Sequence, residues 1–392
     1  MYLGRTIFSQ LMDFVPRHEF RQIVKRHKGE HRVRRFACWD QFLSMAFAQL
    51  TYRESLRDIE TCLRSLGGKL YHSGIRSQVS RSTLADANEH RPWQIYRDVA
   101  LGLIARARVL YHDDRFLAEI ETAVYAVDAT IIELCLKLFP WARAAHHQAT
   151  VAGVKLHTML DVQSNIPVFA RVSAANVNEM RILDELLFEP GAFYVMDRGY
   201  MDFARLRKID NAGAFFVIRG KKGFRFLRVA SGTVDKAWGV RVDQTIRLVI
   251  PRSAEGYPDC LRRIRYFDAD KERSFIFLTN NFVLDALTIA ELYHSRWKIE
   301  LFFKWIKQHL RIKAFYGTTP NAVNTQIWIA LTVFVLVAIV KKELKLDMSL
   351  YSILQILSVT LFEKESINQV LSDHQGLTST PDDPNQLKLF TF

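Results

Sequence analysis

The stretch YHSRWKIELFFKWIKQHL, residues 293–310, decides how the chain is read. At 3.6 residues per turn, Ile299, Phe302, Phe303, Ile306 and Leu310 fall on one apolar stripe, the pattern of a helix packed on a core. Beside it runs a second stripe of Tyr293, Arg296, Glu300 and Lys307, at offsets of three, seven and fourteen residues. Glu300 is thus a lone carboxylate on a face crowded with Arg296, Lys304 and Lys307. One explanation is a solvated face with helix-spaced ion pairs, Arg296 to Glu300 and Glu300 to Lys304, each worth about 0.2–0.5 kcal/mol. The other is a functional carboxylate at the edge of a buried face.

The chain around this helix has 392 residues, enough for two or three domains with a large core. Hydrophobic content of 49% with 12% aromatic residues specifies a folded protein. The formal charge of +13 points to a polyanionic partner, because clustered Lys and Arg gain affinity by releasing counterions from phosphates. Cys38, Cys62, Cys135 and Cys260 have no CxxC spacing, which argues against a zinc site or disulfide framework and fits a reducing cytosol. No signal peptide opens the sequence. The apolar run Ile327 to Val340 is shorter than the roughly 20 residues a bilayer requires, so a buried core helix and no membrane partner are expected.

Up to about residue 118 the pattern is helical, with apolar repeats at three and four. SLRDIETCL followed by QVSRSTLADANEHR resembles a helix-turn-helix, in which Ser80 or Ser82 caps a helix beginning at Arg81. Two short helices joined by a Gly-containing turn also occur without DNA recognition, and both readings stand. The basic run Arg21 to Arg35 is either a DNA contact or a solvated loop. From residue 119 strands dominate: TAVYAVDATIIEL, GVKLHTMLDV and IPVFARVSAA, then a helix NEMRILDEL, a strand AFYVMDRGY, a helix MDFARLRKIDNAG and a strand AFFVIRG. This α/β order matches a ribonuclease H-like arrangement. Residues 221–281 read as an antiparallel β-rich insertion, helices return through residue 345, and 346–392 form a helical segment with a mobile Pro- and Asp-rich tail.

Asp128 and Asp197 each sit at or near the end of a predicted buried strand, where a carboxylate is costly unless paired or bound to metal. In a ribonuclease H-like sheet the first and fourth strands are neighbours, so the two aspartates meet. With Glu300 from a helix beyond the sheet, they make an all-oxygen set suited to two magnesium ions.

Tyr293, Arg296, Glu300 and Lys307, together with VDAT and MDRGY, resemble the DDE transposases of insertion-sequence family four. The resemblance covers nearly the whole chain, including the β insertion between the second Asp and the Glu. It implies a transposase that binds terminal inverted repeats, cleaves there through a DNA hairpin and joins the ends to target DNA. Asp128, Asp197 and Glu300 would ligate two magnesium ions, with manganese able to substitute. Tyr293, Arg296 and Lys307 would hold phosphates, helped by Lys304. The implied partners are double-stranded DNA at ends and target, and a second copy of the chain in the synaptic complex, in the bacterial cytoplasm on the nucleoid. A structure-selective nuclease on the same core and a DNA-binding protein that has lost catalysis are the alternatives.

Further candidates flank this set. Arg198 and Tyr200 follow Asp197 directly and could touch phosphate, Arg81 could meet DNA, and Trp238 is either a packing residue or a platform for an extruded base. Lys155 and His157 alternate on one strand and face either the site or solvent; His146 and His147 read as a basic loop. In the tail, Gln386, Leu387, Leu389 and Phe390 resemble peptides that enter the cleft of the bacterial sliding clamp, with docking on the protein's own core as the alternative.

Overall fold

The computed structural model describes residues 4–31, 33, 35–75, 78–112, 120, 122–142, 152–221, 223–269, 272–309 and 315–373. Val, Ile and ring side chains, which suit a pleated, half-buried surface, recur through nine strands: β1 (Val124–Leu134), β2 (Ala152–Asp161), β3 (Ile166–Ala174), β4 (Phe193–Met196), β5 (Phe215–Arg219), β6 (Phe226–Ser231), β7 (Val240–Leu248), β8 (Leu261–Asp268) and β9 (Arg273–Thr279). They form one sheet in the order β3-β2-β1-β4-β5-β9-β8-β7-β6. β1, β4 and β5 run parallel, and the helix Phe203–Asn211 supplies the crossover between β4 and β5 that a parallel pair needs. Val127 stands opposite Met196 in the β1–β4 register, so Asp197, just past the end of β4, lies beside Asp128, which sits midway along β1 rather than at the expected strand end because β1 runs on to Leu134. Antiparallel pairing takes over from β5 to β6, and the β-rich insertion extends the same sheet. Tyr125, Tyr194, Phe216, Leu206, Ile209 and Leu278 lie in the core on this sheet.

The chain divides into two compact units. Among the described residues, most of the sheet belongs to the unit that spans 120–131 and 155–302. The other, mainly helical, joins segments from before and after the sheet: 4–112, 132–142 with 152–154, and 303–373. Its axis is the helix Pro320–Glu343, opened by Thr319, whose hydroxyl accepts from the Ala322 amide. This helix packs along Gln94–Leu110 and Cys38–Leu50, with Trp328 stacked on Trp93. At 24 residues it is long and apolar enough to span a bilayer, beyond the shorter run visible in the sequence, but 94% of its most apolar window is buried inside the protein. The helices Leu56–Ser65 and Arg81–His90 pack together, and Ser80 caps the second by accepting from the Thr83 amide. The short helix Lys69–His72 occupies the expected turn between them.

Two expected helices differ. NEMRILDEL forms only a 3-10 turn, Glu179–Asp184, opened by Asn178, whose side chain accepts from the Met180 amide. The stretch 293–310, expected to be one helix, is instead divided at Arg296 between the helices Ala286–Ser295 and Trp297–His309. At the break the Arg296 and Ile299 amides bond three residues back rather than four, and the Ser295 hydroxyl donates to the Leu292 carbonyl.

Arg262 on β8 anchors the extended part of the sheet. Its guanidinium forks onto Asp243 of β7 at 3.0 and 2.8 Å and donates to the Leu284 carbonyl at 2.5 Å, just ahead of the helix Ala286–Ser295. Only 8% of the residue is exposed, so each of these bonds replaces lost water. Arg262→Ala leaves Asp243 uncompensated and is expected to destabilise the protein by about 3–5 kcal/mol. Arg262→Lys keeps the charge without the fork and should recover only part of the loss in a urea titration. Wild-type stability in either variant would remove Arg262 from this role.

Candidate active site

Asp128 projects from β1, and Asp197 follows the last residue of β4, opening a 3-10 turn over Arg198–Tyr200. The Asp128 carboxylate accepts from the Ala129 amide at 2.8 Å through Oδ1 and from Arg296 Nη1 at 3.1 Å through Oδ2. Burial pushes the Asp128 carboxyl up to about 6; Arg296 and the Ala129 amide oppose this, while Glu300 and Glu179 add to it.

The break at Arg296 brings the motif residues onto these aspartates. Arg296 Nη2 donates to Glu300 Oε1 at 2.5 Å while Nη1 holds Asp128, so one guanidinium bridges two carboxylates. The Tyr293 hydroxyl donates to Asp197 Oδ1 at 3.1 Å, and burial pushes its phenol up to about 12. Burial works against the charge on Arg296, but Tyr293, Glu300 and Asp128 outweigh it and hold the guanidinium protonated. Asp128, Asp197, Glu300, Tyr293 and Arg296 therefore come together, 172 residues apart along the chain at the extremes (300 − 128). The helix-spaced pair from Arg296 to Glu300 exists, but as half of a fork.

The structure adds residues that the sequence pattern did not single out. Glu179, on the 3-10 turn after β3, faces the group from the side of Gly199, where an added Cβ would lie 3.8 Å from its Oε2. It pairs at 3.1 Å with Lys155 of β2, a buried lysine that also donates to the Val177 carbonyl. Lys298 Nζ donates to the Val162 carbonyl, tying the second helix to the end of β2, and burial pulls its ammonium down to about 8. Period two on β2 hinted at Lys155; nothing local marks Glu179, because its proximity comes from a turn between strands.

The remaining candidates are dispersed. Arg198 is exposed beside Asp197. Tyr200 is only 1% exposed with a buried hydroxyl lacking a hydrogen-bond partner, so it is a core residue and cannot meet a phosphate directly. Trp238 is 66% exposed, which rules out the packing alternative. It precedes Gly239, whose φ of +82° and a Cβ clash of 2.5 Å with the Phe267 carbonyl require glycine. Arg81 is exposed at the first turn of its helix. Lys304 and Lys307 lie farther along Trp297–His309, in the part assigned to the helical unit. His146, His147, Gln386, Leu387, Leu389 and Phe390 lie outside the described residues.

Among the described residues no group of three or more His, Cys, Asp or Glu stands in metal-holding proximity. The donor set nonetheless fits a hard divalent cation, since every candidate ligand is a carboxylate oxygen. A cation already stands between Asp128 and Glu300 in the form of the Arg296 guanidinium.

Residues 120–336, which contain all nine strands and the three carboxylates, match the family described as transposase DDE domain. The chain belongs to this family. Residues 3–76 of the transposase also match a domain of unknown function. A protein named as transposase y4zB of Sinorhizobium fredii is 33% identical over 288 residues, 72% of this chain and 78% of the relative. One named as a transposase for insertion sequence element IS5377 of Geobacillus stearothermophilus is 30% identical over 216 residues, 54% of each chain. Among solved structures, a piggyBac transposase synaptic complex with hairpin DNA matches with a TM-score of 0.44 and 10% identity, over 96% of this chain and 83% of that one. The transposase is thus a protein of DNA transposition, in a family whose chemistry uses divalent metal.

His157 of β2 supplies a pH test of this part of the sheet. Its Nε2 lies 2.8 Å from Ser173 Oγ, its Nδ1 is buried without a partner, and burial, then Lys155 and Arg171, pull the imidazole down to about 4. The folded value lies below the ordinary 6.5, so stability carried by the neutral ring is complete above 6.5 and is lost as pH falls toward 4. His157→Gln should lose less stability than wild type between pH 7 and about 4.5, by on the order of 2–3 kcal/mol. Parallel stability-versus-pH curves would dismiss His157 as the titrating group.

Proposed function

We propose that this transposase cuts DNA at the terminal inverted repeats of its own insertion sequence and joins the freed ends to target DNA, in the manner of insertion-sequence family four. What carries this reading is the convergence of Asp128, Asp197 and Glu300 with Tyr293 and Arg296 on adjacent parallel strands, beside the end of β4. Neighbouring β1 and β4 are what a ribonuclease H-like core requires, and the sheet order supports it. Asp128, Asp197 and Glu300 would hold two magnesium ions. Bound there, magnesium would activate water or a 3′-hydroxyl and stabilise the leaving oxygen. The chain's own groups would position the DNA: the Arg296 fork suits a phosphate as well as a carboxylate, the Tyr293 hydroxyl can donate to a phosphate oxygen, and Lys304, Lys307 and Arg198 add charge. Trp238, exposed on the β6–β7 connection, would stack on an extruded base. Two copies would act at the paired ends.

Asp128→Asn, Asp197→Asn or Glu300→Gln should lower cleavage of labelled ends by at least about a hundredfold while end binding survives. Joined product from the wild type with labelled ends and target DNA is expected. Cut ends without joining would instead favour a plain nuclease, and binding without cutting a chain that has lost catalysis.

The helical unit would supply further DNA contact through the helix Arg17–Arg26. Arg17, Arg21 and Lys25 recur at four-residue spacing on one side of it, and Lys28 follows in register. They line a groove of about 570 Å³ with His31, Phe20 and Trp39, and the Arg17 guanidinium lies 4.3 Å from the Trp39 ring centre. Such a basic groove with an aromatic wall fits a phosphate backbone. Arg21→Ala and Lys25→Ala should each reduce the slope of log affinity against log salt by about one unit. Unchanged slopes would leave this helix as solvated surface, the alternative given for the basic run, and leave Arg81, at the start of the Arg81–His90 helix, as the candidate contact.

A further inference from the structure

Arg296 is expected from its motif to meet DNA phosphate, but both arms of its fork are taken by carboxylates. Nη1 is 3.1 Å from Asp128 and Nη2 2.5 Å from Glu300, with the side chain only 13% exposed. Nε is buried without a hydrogen-bond partner, so the terminal nitrogens carry the polar contacts of the group. The guanidinium also lies 5.7 Å from the ring centre of Tyr293, whose hydroxyl covers Asp197. Each of the three carboxylates is therefore capped by Tyr293 or Arg296.

Two physical constraints follow. Asp128 and Glu300 repel each other when both are ionised, and a cation between them relieves that repulsion. A guanidinium cannot be deprotonated, so it leaves these oxygens only by moving. A divalent ion that takes the same oxygens as ligands must compete with a charge already in place.

We propose that Arg296 is the resident counter-ion of the carboxylate group, holding Asp128 and Glu300 until a divalent metal displaces it and the freed fork turns to DNA phosphate. This rests on the assignment of Asp128, Asp197 and Glu300 to metal binding. Its consequence is that the DNA-free protein binds metal weakly because of Arg296 itself. Removing the guanidinium strengthens metal binding, against the ordinary expectation that loss of a motif residue weakens a site.

The test is manganese binding to the full-length, DNA-free protein, followed by loss of the free Mn2+ electron paramagnetic resonance signal. Arg296→Gln should bind Mn2+ at least about tenfold more tightly than wild type, within the usual range of coupling between two sites. Arg296→Lys keeps a cation in the fold but serves only one carboxylate at a time, and should fall between the two. If Arg296→Gln does not fold, the Lys variant decides the matter by itself, an affinity no higher than wild type rejecting the proposal. Asp128→Asn, made in the wild-type background, separates the two ideas. Equal Mn2+ affinity of wild type and both Arg296 variants, abolished by Asp128→Asn, would overturn the counter-ion role and leave the metal assignment standing. Binding indifferent to Asp128→Asn, or absent throughout, would overturn both.

Discussion

A single guanidinium holds the candidate site together. Arg296 is 168 positions from Asp128 and four from Glu300, and its fork is what places a helix-borne carboxylate against a strand-borne one. Without a cation there, the Asp128 and Glu300 carboxylates would face each other uncompensated, and like charges so close repel. The elevated Asp128 carboxyl records how finely this is balanced: burial and the nearby Glu300 and Glu179 outweigh even a direct bond from Arg296.

The helix break at Arg296 follows from the same requirement. An unbroken α-helix from 286 to 309 would satisfy its backbone uniformly, but here the chain changes to three-residue bonding for a turn, with the Ser295 hydroxyl taking up the Leu292 carbonyl. Tyr293 lies before the break and Glu300 after it, so the two reach different aspartates. Lys298, half-buried and bonded to the Val162 carbonyl, fixes the start of the second helix to the sheet. Glu179 and Lys155 then close a further side of the group with an ion pair of their own.

The sheet supports the site from below. Parallel pairing of β1 with β4 in the register of Val127 with Met196 sets two aspartates on neighbouring strands, and β4 is buried along its whole length. Strands β6 to β9 add an antiparallel extension that depends on Arg262, a second buried arginine fork, to bind β7, β8 and the approach to the helix carrying Tyr293. Both arginines do what lysine would do poorly, serving two acceptors at once from one planar group.

Much of this was legible along the chain. Residue periodicity placed the strands, the apolar stripe from Ile299 to Ile306 marked a buried helix face, and Ser80 announced the helix at Arg81, because side-chain alternation and capping are local effects. The spacing of Tyr293, Arg296 and Glu300 drew attention to a candidate site only through its resemblance to a known family, since helical periodicity alone fitted a solvated face equally well. Tertiary structure alone decided that Arg296 grips Asp128, that Glu179 faces the group, that Tyr200 turns into the core and that helices from before and after the sheet join in one unit. Each of these depends on contacts between residues far apart in sequence, set by strand register and by which charges remain buried together, and no local pattern encodes them.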